Sequence, residues 1–258
     1  MKLLIGCIIQ ARSNSKRLPK KVLKVIDNGK NVLECVINQI KHSTKIDKIV
    51  IATTEKVDDD IITDISKLND CDYFRGSEKD VLDRYFNCAK KFNFDIIVRI
   101  TSDCPLIDPQ VVDKVIEKFE MEEYDYVTNT FPRTFPKGLD VEVFSFSVLE
   151  NMWKNAKLPS EREHVTQFIL NHDEFKIGNI KHKNDISNLR WTLDQKEDLD
   201  FLLKVIERID TRPILMNKVL ELLENKSELT EINSWIDPDQ GIKKSKNEDE
   251  DFLEKNNS

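Results

Sequence analysis

IIQARSNSKRLPKKVL, residues 8–23, is the end of an apolar segment followed by a loop with five basic side chains and no acidic one. The basic residues are Arg12, Lys16, Arg17, Lys20 and Lys21. The apolar residues from position 3 to position 10 predict a buried strand, and an α/β sheet binds its ligands beyond the carboxyl ends of its strands. We therefore expect the loop to bind an anionic ligand; the alternative is a solvated run of charge.

The composition indicates a globular protein whose basic site is local. The 258 residues carry a net charge of −7, which argues against a general nucleic-acid-binding surface. The longest apolar run, Leu3 to Ile9, is too short to span a bilayer and does not fit a signal peptide. The five cysteines form no C-x-x-C pair, which favours free thiols in a reducing compartment. We expect a cytoplasmic protein that binds neither nucleic acid nor membranes.

The glycines exclude the common phosphate-binding loops. The chain has six glycines, and they form no G-x-G-x-x-G or Walker pattern. Side chains and single backbone amides would therefore have to hold phosphate groups. Arginine supplies forked donors and lysine a compact charge for phosphate oxygens, and Pro19 stiffens the loop that carries them.

The first half of the chain alternates between predicted strands and helices. Strands are predicted at 3–10, 48–53 and 95–101 and near Tyr73. Helices are predicted at 32–42 and 58–68, after Ser77 as N-cap, and from Pro109. This alternation predicts an α/β fold with three layers, in which a mostly parallel, Rossmann-like sheet carries helices on both faces.

The second half adds further strands and helices and ends in a charged segment. Strands are predicted for YDYVTNT, LDVEVFSF, FKIGNI and LRWTLD, and helices over 160–171, from Gln195 and from Ile214. The segment 237–258 contains seven acids and four lysines and is predicted to be a disordered tail. The chain is thus expected to form one domain, residues 1–236, followed by that tail.

Two aspartates follow predicted strands at the edge of the sheet that carries the basic loop. Asp103 follows DIIVRITS, and Asp194 ends LRWTLD. Mg²⁺ is commonly bound by one or two carboxylates together with phosphate oxygens, so the two aspartates and the loop predict a magnesium–phosphate site. Each aspartate could instead be a helix N-cap, a role that Asp108, before Pro109, fits better than Asp103.

Six segments together resemble the cytidylyltransferases that make CMP-activated acidic sugars, such as CMP-KDO synthetase and acylneuraminate cytidylyltransferase. The segments are QARSNSKRLPKKVL, RGSEKDVLDRY, RITSDCPLIDP, FPKGLDVEVF, REHVT and RWTLDQKEDL. They occur in the family's order over about residues 3–236, and they look most like the spore-coat polysaccharide biosynthesis protein F subgroup. The resemblance implies a sheet of the nucleotide-diphospho-sugar transferase (GT-A-like) type and an enzyme that transfers CMP from CTP, with Mg²⁺ as cofactor.

The resemblance also implies roles for individual residues. The family's loop A-R-x-x-S-x-R-L-P-x-K matches Ala11, Arg12, Ser15, Arg17, Leu18, Pro19 and Lys21. In that loop the two arginines and the lysine bind the triphosphate and stabilise charge at the α-phosphate. Asp103 and Asp194 match the metal-binding aspartates, and Gly76 and Ser77 match the segment that borders the nucleotide. Lys20 departs from the family, which has glycine before the catalytic lysine, so the tightest turn of the loop is in question.

The acceptor is implied only as a class. The segments GLDVEVF and REHVT look like the subgroup's region for the second substrate, with Asp140, Glu142, Arg162, Glu163 and His164 as candidate binding residues. His164 could equally be an ordinary buried histidine. The acceptor is expected to be an acidic sugar for surface polysaccharides, with a phosphorylated alcohol or sugar phosphate as the alternative. The resemblance further implies a homodimer formed through about residues 130–180.

Two other functions compete with cytidylyl transfer. A glycosyltransferase on a similar sheet commonly uses an Asp-x-Asp pair, and SDCPLID places its second acid too far along the chain. A nucleotide sensor would not need Lys21 and both aspartates, which are groups that act in the transition state. No residue is an obvious covalent nucleophile, so direct attack by the acceptor oxygen is the simpler mechanism.

Overall fold

The structure is a computed structural model, and it describes residues 2–15, 17–237 and 240–256. The strands are β1 (Ile5–Gln10), β2 (Val25–Asp27), β3 (Lys30–Asn31), β4 (Lys48–Thr54), β5 (Asp72–Gly76), β6 (Ile96–Thr101), β7 (Tyr126–Thr128), β8 (Glu142–Ser145) and β9 (Ile177–Asn179). The α-helices are α1 (Val32–Ile40), α2 (Asp60–Leu68), α3 (Val81–Phe92), α4 (Pro109–Met121), α5 (Phe146–Asn155), α6 (Pro159–His164), α7 (Gln167–Asn171), α8 (Lys196–Ile206), α9 (Met216–Asn225) and α10 (Gln240–Asn256). Short 3-10 helices cover Lys21–Leu23, Val57–Asp59 and Ser227–Ile232.

Seven strands form one mixed, mostly parallel sheet. Their order is β5-β4-β1-β6-β8-β7-β9, and β2 and β3 form a separate hairpin. β1 is parallel to both of its neighbours, β4 and β6. Only β8 among these strands runs against its neighbours, because it is antiparallel to both β6 and β7. The predicted α/β fold with a mostly parallel sheet is confirmed.

Helices cover both faces of the sheet, as the alternating pattern predicted. In β1, Cys7 and Ile9 belong to one hydrophobic core and Ile8 to the other, and all three are fully buried. Helices α1, α2, α4, α8 and α9 contribute to the first core, and α3, α5 and α7 to the second. A strand that is buried on both faces reads as a continuous apolar run, which is why residues 3–10 show no alternation.

The five cysteines are all buried free thiols, as their spacing predicted. Within the part of the chain that the structure describes, no helix is long and apolar enough to cross a membrane.

Three local predictions were wrong. The helix predicted over 160–171 is divided into α6 and α7 at Val165, whose φ of 64° interrupts the helical backbone. The predicted strand LRWTLD forms only one isolated bridge, between Arg190 and Lys137, although its backbone is tied to β6 through Asp103. The N-cap of α3 is Asp80, whose side chain accepts from the Asp83 N–H, and not Ser77.

The charged segment after Asp237 also differs from the predicted disordered tail. The structure forms helix α10 there, and that helix packs against α6. Ser245 is buried at 8% exposure although the helix as a whole is polar. Two polar contacts, described below, attach this helix to α6. Residues 238, 239, 257 and 258 of the predicted tail lie outside the described residues.

Gly138 allows two segments of the second half to approach each other closely. Its φ is +111°, and a Cβ at this position would lie 2.6 Å from the Thr192 backbone nitrogen. Gly29 also has a positive φ, +81°, but nothing lies within 4 Å of its Cβ position. A substitution at Gly29 would therefore introduce backbone strain alone, whereas one at Gly138 would introduce both strain and a steric clash.

We expect Gly138→Ala to lower the free energy of unfolding by more than about 3 kcal/mol, since strain and a backbone clash add together. Gly29→Ala should cost only about 1 kcal/mol, because it adds strain alone. Urea unfolding of both variants measures the difference. Equal losses of stability would contradict the close approach at Gly138.

Candidate active site

Lys21 lies between two carboxylates from distant parts of the chain. Its Nζ is 2.6 Å from Oδ2 of Asp103 and 2.7 Å from Oδ1 of Asp194. Asp103 follows β6, which pairs with β1 as far as Thr101 and Gln10. The structure therefore brings the basic loop and both predicted aspartates together at the carboxyl edge of the sheet.

The three groups form an electrostatically coupled cluster. Burial would lower the pKa of Lys21, but the charges of Asp103 and Asp194 outweigh it and raise this pKa above its usual value. Burial would raise the pKa of Asp103, but the Lys21 ammonium keeps it below its ordinary value. Lys21 and Asp103 are therefore both ionised at neutral pH.

A buried ion pair holds Asp194 in position. Arg190 Nε and Nη2 donate to the two carboxylate oxygens of Asp198 at 2.8 and 2.9 Å. Oδ2 of Asp198 also accepts from the backbone N–H groups of Asp194 and Gln195, both at 2.9 Å. Asp198 thus accepts the backbone hydrogen bonds at the start of α8. The alternative that Asp194 is the N-cap is wrong, because the N-cap is Gln195. The Asp194 carboxylate is left to bind cations.

The main chain of the basic loop is fixed by buried contacts. The Ala11 N–H donates to the Ala52 carbonyl at 3.0 Å. The Ser13 N–H donates to Oδ1 of Asp59 at 2.7 Å, and the Thr54 hydroxyl donates to the other oxygen of this carboxylate. Asp59 is only 3% exposed. The loop backbone is therefore rigid at its start, while the side chains of Arg12 and Arg17 remain accessible.

Arg12 and Arg17 point towards solvent on either side of Lys21. Their side chains are 44% and 45% exposed. Arg12 Nη2 lies 3.2 Å from Oε1 of Glu163, and Arg17 Nη2 lies 2.8 Å from Oδ1 of Asp194. Exposed pairs of this kind are worth little, so an anion of higher charge can compete for both guanidinium groups.

Lys20 forms the tight turn in which the family has glycine. Its φ and ψ are 55° and 32°, in the left-handed region. Glycine adopts that region freely, whereas for other residues this conformation is less stable by about 1 kcal/mol or more. Lys20 therefore holds a left-handed conformation in this chain, and the 3-10 helix that begins at Lys21 follows directly. Ser15 is half-buried in the loop, and Lys16 lies outside the described residues.

Gly76 and Ser77 lie at the same sheet edge, in front of a buried arginine. A Cβ on Gly76 would lie 2.8 Å from the Phe74 ring and 3.2 Å from Arg84 Cγ. Arg84 is 2% exposed, and its Nη1 donates to the Ser77 carbonyl at 2.7 Å. Its Nε has no hydrogen-bond partner among the described residues, and burial lowers its pKa. A buried positive charge thus supports the segment predicted to border the nucleotide.

A polar cavity of about 290 Å³ opens beside the cluster around Lys21. Thr101, two residues before Asp103, lines it. Three of the predicted acceptor-binding residues, Asp140, Glu142 and His164, also line it. The remaining lining residues are Arg99, Thr130, Ser160, Thr166, Gln167, Leu170, Asn171, Ser245 and Asp249.

Glu142 is held by three partners on the cavity wall. It forms an ion pair with Arg99, and its Oε1 accepts hydrogen bonds from the hydroxyls of Tyr126, at 2.7 Å, and Thr166. Neighbouring strands explain the pairing, since Arg99 of β6 stands opposite Glu142 of β8. The charges of Arg99 and Glu142 therefore largely compensate each other.

Asp140 and His164 have different electrostatic surroundings. Burial would raise the pKa of Asp140, but a two-point pair with Arg133, at 2.6 and 2.8 Å, holds it below its ordinary value. Burial, together with the charge of Arg99, lowers the pKa of His164. The His164 ring is therefore neutral at neutral pH and can exchange hydrogen bonds in either direction.

Arg162 and Glu163 are not among the residues that line this cavity. Arg162 Nε donates to Oδ2 of Asp80 at 2.9 Å, and its Nη1 donates to the Trp153 carbonyl at 2.8 Å. Glu163 pairs with Arg12 of the basic loop. The structure thus separates the five predicted acceptor residues into three on the cavity and two that connect α6 to its neighbours.

The residues at Lys21 fit a divalent cation only in part. Among residues 2–15, 17–237 and 240–256, no group of three or more His, Cys, Asp or Glu side chains is arranged to hold a metal. Two carboxylates do converge on one point, which the Lys21 ammonium now occupies. Mg²⁺ takes one or two carboxylates and completes its shell with water and phosphate oxygens, so the pair suffices when a phosphate is bound.

Sequence reasoning missed four residues that build the site. These are Asp59, Arg84, Arg190 and Asp198. Arg84, Arg190 and Asp198 stand inside the motifs RGSEKDVLDRY and RWTLDQKEDL, so a signal was present. Asp198 is three residues after Gln195, the spacing of a capping box. Asp59 carried no such signal, because it is one of three consecutive aspartates.

Comparison with known proteins finds relatives in both sequence and structure. The sequence pattern of the cytidylyltransferase family matches residues 6–229. The spore coat polysaccharide biosynthesis protein SpsF of Bacillus subtilis strain 168 is 30% identical over 230 residues, which cover 85% of this chain and 93% of that protein. A cytidylyltransferase structure from Leptospira borgpetersenii superposes with a TM-score of 0.85 at 33% identity, covering 89% of this chain and 97% of that one.

A more distant structure shares the fold alone. It is CMP:2-keto-3-deoxy-manno-octonic acid synthetase complexed with CTP, with a TM-score of 0.63 at 16% identity. The match covers 80% of this chain and 99% of that one. The predicted GT-A-like, nucleotidyltransferase type of sheet is thereby confirmed.

The cluster around Lys21 should make stability depend on pH in acid. The pKa of Asp103 is lowered in the folded protein, so the unfolded chain binds protons more readily and stability falls as the pH drops through the window below about 4. Lys21→Met removes the charge that lowers this pKa. Its free energy of unfolding should therefore fall less steeply between about pH 5 and pH 2.

Urea unfolding at successive pH values tests this expectation, with Lys20→Met as the matched control. Lys20 is exposed and should leave the wild-type slope unchanged. Parallel curves for wild type and Lys21→Met would show that Lys21 does not control the ionisation of Asp103.

Proposed function

Since the chain belongs to the cytidylyltransferase family, we propose that it transfers CMP from CTP to a hydroxyl group of an acidic sugar and releases pyrophosphate. The observation that carries this proposal is the position of Lys21, between Asp103 and Asp194 and beside two exposed arginines. The candidate acceptors are KDO and the sialic-acid-like nonulosonates. Their CMP derivatives would serve surface polysaccharide synthesis, as the name of the Bacillus relative suggests.

The basic loop supports binding of the triphosphate. Arg12, Arg17 and Lys21 carry three positive charges at the carboxyl edge of the sheet, and each is paired with a carboxylate that a polyanion can replace. Ala11 and Ser15 shape the same loop, and Gly76 and Ser77 would border the base or ribose. Because the backbone is fixed through Asp59, the charges are held ready before the nucleotide arrives.

The chemistry is a direct transfer. The acceptor oxygen forms a bond to the α-phosphorus, the bond from that phosphorus to the bridging oxygen breaks with departure of pyrophosphate, and the hydroxyl proton passes to water. Lys21 would stabilise the charge that develops on the α-phosphate oxygens. Asp103 and Asp194 would hold Mg²⁺, which supplies charge neutralisation for the phosphates when bound.

The lining of the cavity supports an acceptor rich in hydroxyl groups. Asp140, Glu142 and Asp249 offer carboxylate oxygens to hydroxyl donors, and Arg99 is already paired with Glu142. A phosphorylated alcohol would bring two negative charges to these carboxylates, whereas an acidic sugar brings one. The cavity therefore favours the acidic sugar over the phosphorylated alternative. A glycosyltransferase would release a nucleoside diphosphate, which distinguishes it from this reaction.

We further expect the protein to form a homodimer through about residues 130–180. We also expect it to be located in the cytoplasm. Phe131, in that segment, is 54% exposed and is available to such an interface. The buried free thiols are consistent with a reducing compartment.

We expect Lys21→Ala to lower kcat by about 10²–10³, the effect of removing one preorganised donor from a developing charge. Lys20→Ala is the matched control, because Lys20 is the preceding lysine and is exposed. Its kcat should stay within about threefold of wild type. Pyrophosphate release from CTP with KDO or N-acetylneuraminate measures both, and a Lys21→Ala enzyme of normal kcat would refute the assigned role.

Asp103→Asn and Asp194→Asn should abolish turnover at ordinary magnesium, because a hard cation requires the carboxylate charge. Raised Mg²⁺ should restore part of the rate. Asp64→Asn is the control, since Asp64 is exposed on α2 and its loss of charge should leave the rate unchanged. Pyrophosphate release across a magnesium titration decides the matter: near-normal rates in either active-site variant would refute the metal site.

A further inference from the structure

Helix α10 forms one wall of the cavity beside the active site. Ser245 and Asp249 line this cavity together with residues of the sheet edge and of α6 and α7. The family pattern ends at residue 229, so α10 lies outside the region that this chain shares with the family as a whole. The cavity is therefore built partly from elements within the family pattern and partly from a helix that lies beyond it.

Two hydrogen bonds attach α10 to the common part of the cavity. Oγ of Ser245 lies 2.6 Å from Nε2 of His164, and Oδ1 of Asp249 accepts from the Ser160 backbone N–H at 2.9 Å. Ser245 and Asp249 are four residues apart, so they lie on the same face of the helix. That face is turned towards α6, which is why Ser245 is buried in an otherwise polar helix.

The chemistry of this wall suits hydroxyl groups. A carboxylate accepts several hydrogen bonds, and the bond from Ser160 occupies only part of the capacity of Asp249. A serine hydroxyl can donate and accept at once, so Ser245 can contact both His164 and a ligand. A bond from a sugar hydroxyl to a carboxylate is charge-assisted, and losing such a bond weakens binding by about tenfold or more.

We propose that α10 is an acceptor-binding element, in which Asp249 and Ser245 bind hydroxyl groups of the acceptor sugar. This inference rests on the proposed function and adds to it the residues that determine which polyhydroxyl chain fits. The acceptor would be held between Thr101 and Asp140 on the sheet side and α10 on the other. The nucleotide site would be left unaffected, because Arg12, Lys21 and Asp103 are not among the residues that line this cavity and form their ion pairs elsewhere.

The test uses full-length variants in a pyrophosphate-release assay with CTP. The acceptors are KDO, N-acetylneuraminate, legionaminate and pseudaminate, each tried with the wild-type enzyme first. Asp249→Ala should raise the KM of the accepted sugar by about tenfold or more, and the double variant Ser245→Ala with Asp249→Ala by a larger factor. The KM of CTP should stay within about twofold of wild type in both variants.

The controls separate binding from folding. Asp251→Ala changes an exposed acid of the same helix and should leave the sugar KM unchanged. Asp249→Asn keeps an accepting oxygen and should raise the sugar KM less than Asp249→Ala does. Hydrogen exchange at the backbone amides of α10 reports whether this helix is still attached in each variant, because these amides do not depend on the Asp249 side chain.

The outcomes test the role of α10 separately from the proposed function. If the wild type turns over a sugar and Asp249→Ala and the double variant keep its KM within about twofold, the inference about α10 is overturned and the proposed function stands. If CTP and sugar KM rise together, α10 has a general structural role and the inference is overturned as well. If the wild type releases no pyrophosphate with any of the four sugars, the proposed function fails and this inference fails with it.

Discussion

The ion cluster in which Lys21 bridges Asp103 and Asp194 is the interaction on which the organisation of the site depends. Two carboxylates facing each other without a cation would repel, so the lysine is what allows β6 and the segment before α8 to end at the same point. Around it, the Arg190–Asp198 pair fixes Asp194, and the left-handed turn at Lys20 directs Lys21. The neighbouring charges are thus mutually dependent, and each is placed by a different part of the chain.

Much of the fold could be predicted because the central strands are buried on both faces. β1, β4 and β6 read as apolar runs, and each is followed by a helix with apolar residues at helical spacing. The predictions that were wrong concern segments whose structure depends on distant contacts. Val165 divides a helix that its neighbours in sequence would continue, and residues 189–194 are extended because Asp103 and Lys137 bind their backbone. Helix α10 likewise depends on distant contacts, since Ser245 bonds to His164 and Asp249 to Ser160.

The site was predictable where a charge stands directly after a strand. Asp103 meets this condition after β6, and Lys21 lies in the loop after β1, so their convergence follows from the parallel pairing of these two strands. The acceptor region was less predictable, because neighbouring residues of a short helix point in different directions. Glu163 and His164 are adjacent in α6, yet one pairs with Arg12 and the other lines the cavity. The supporting residue Asp59 was missed because its partners, Ser13 and Thr54, are brought to it only by folding.

The ion pair between Arg12 and Glu163 connects the basic loop to helix α6. Arg12 belongs to the loop for which we propose phosphate binding, and Glu163 precedes His164, which lines the cavity. Under the proposed function, a triphosphate that draws Arg12 away removes this partner of Glu163 in α6, and so changes the energy of a helix that forms part of the cavity wall. Linkage of this kind is reciprocal: whatever the nucleotide does to acceptor affinity, the acceptor does equally to nucleotide affinity. Under the proposed function, the exposed Arg12–Glu163 pair is therefore one contact through which nucleotide affinity and acceptor affinity can be coupled.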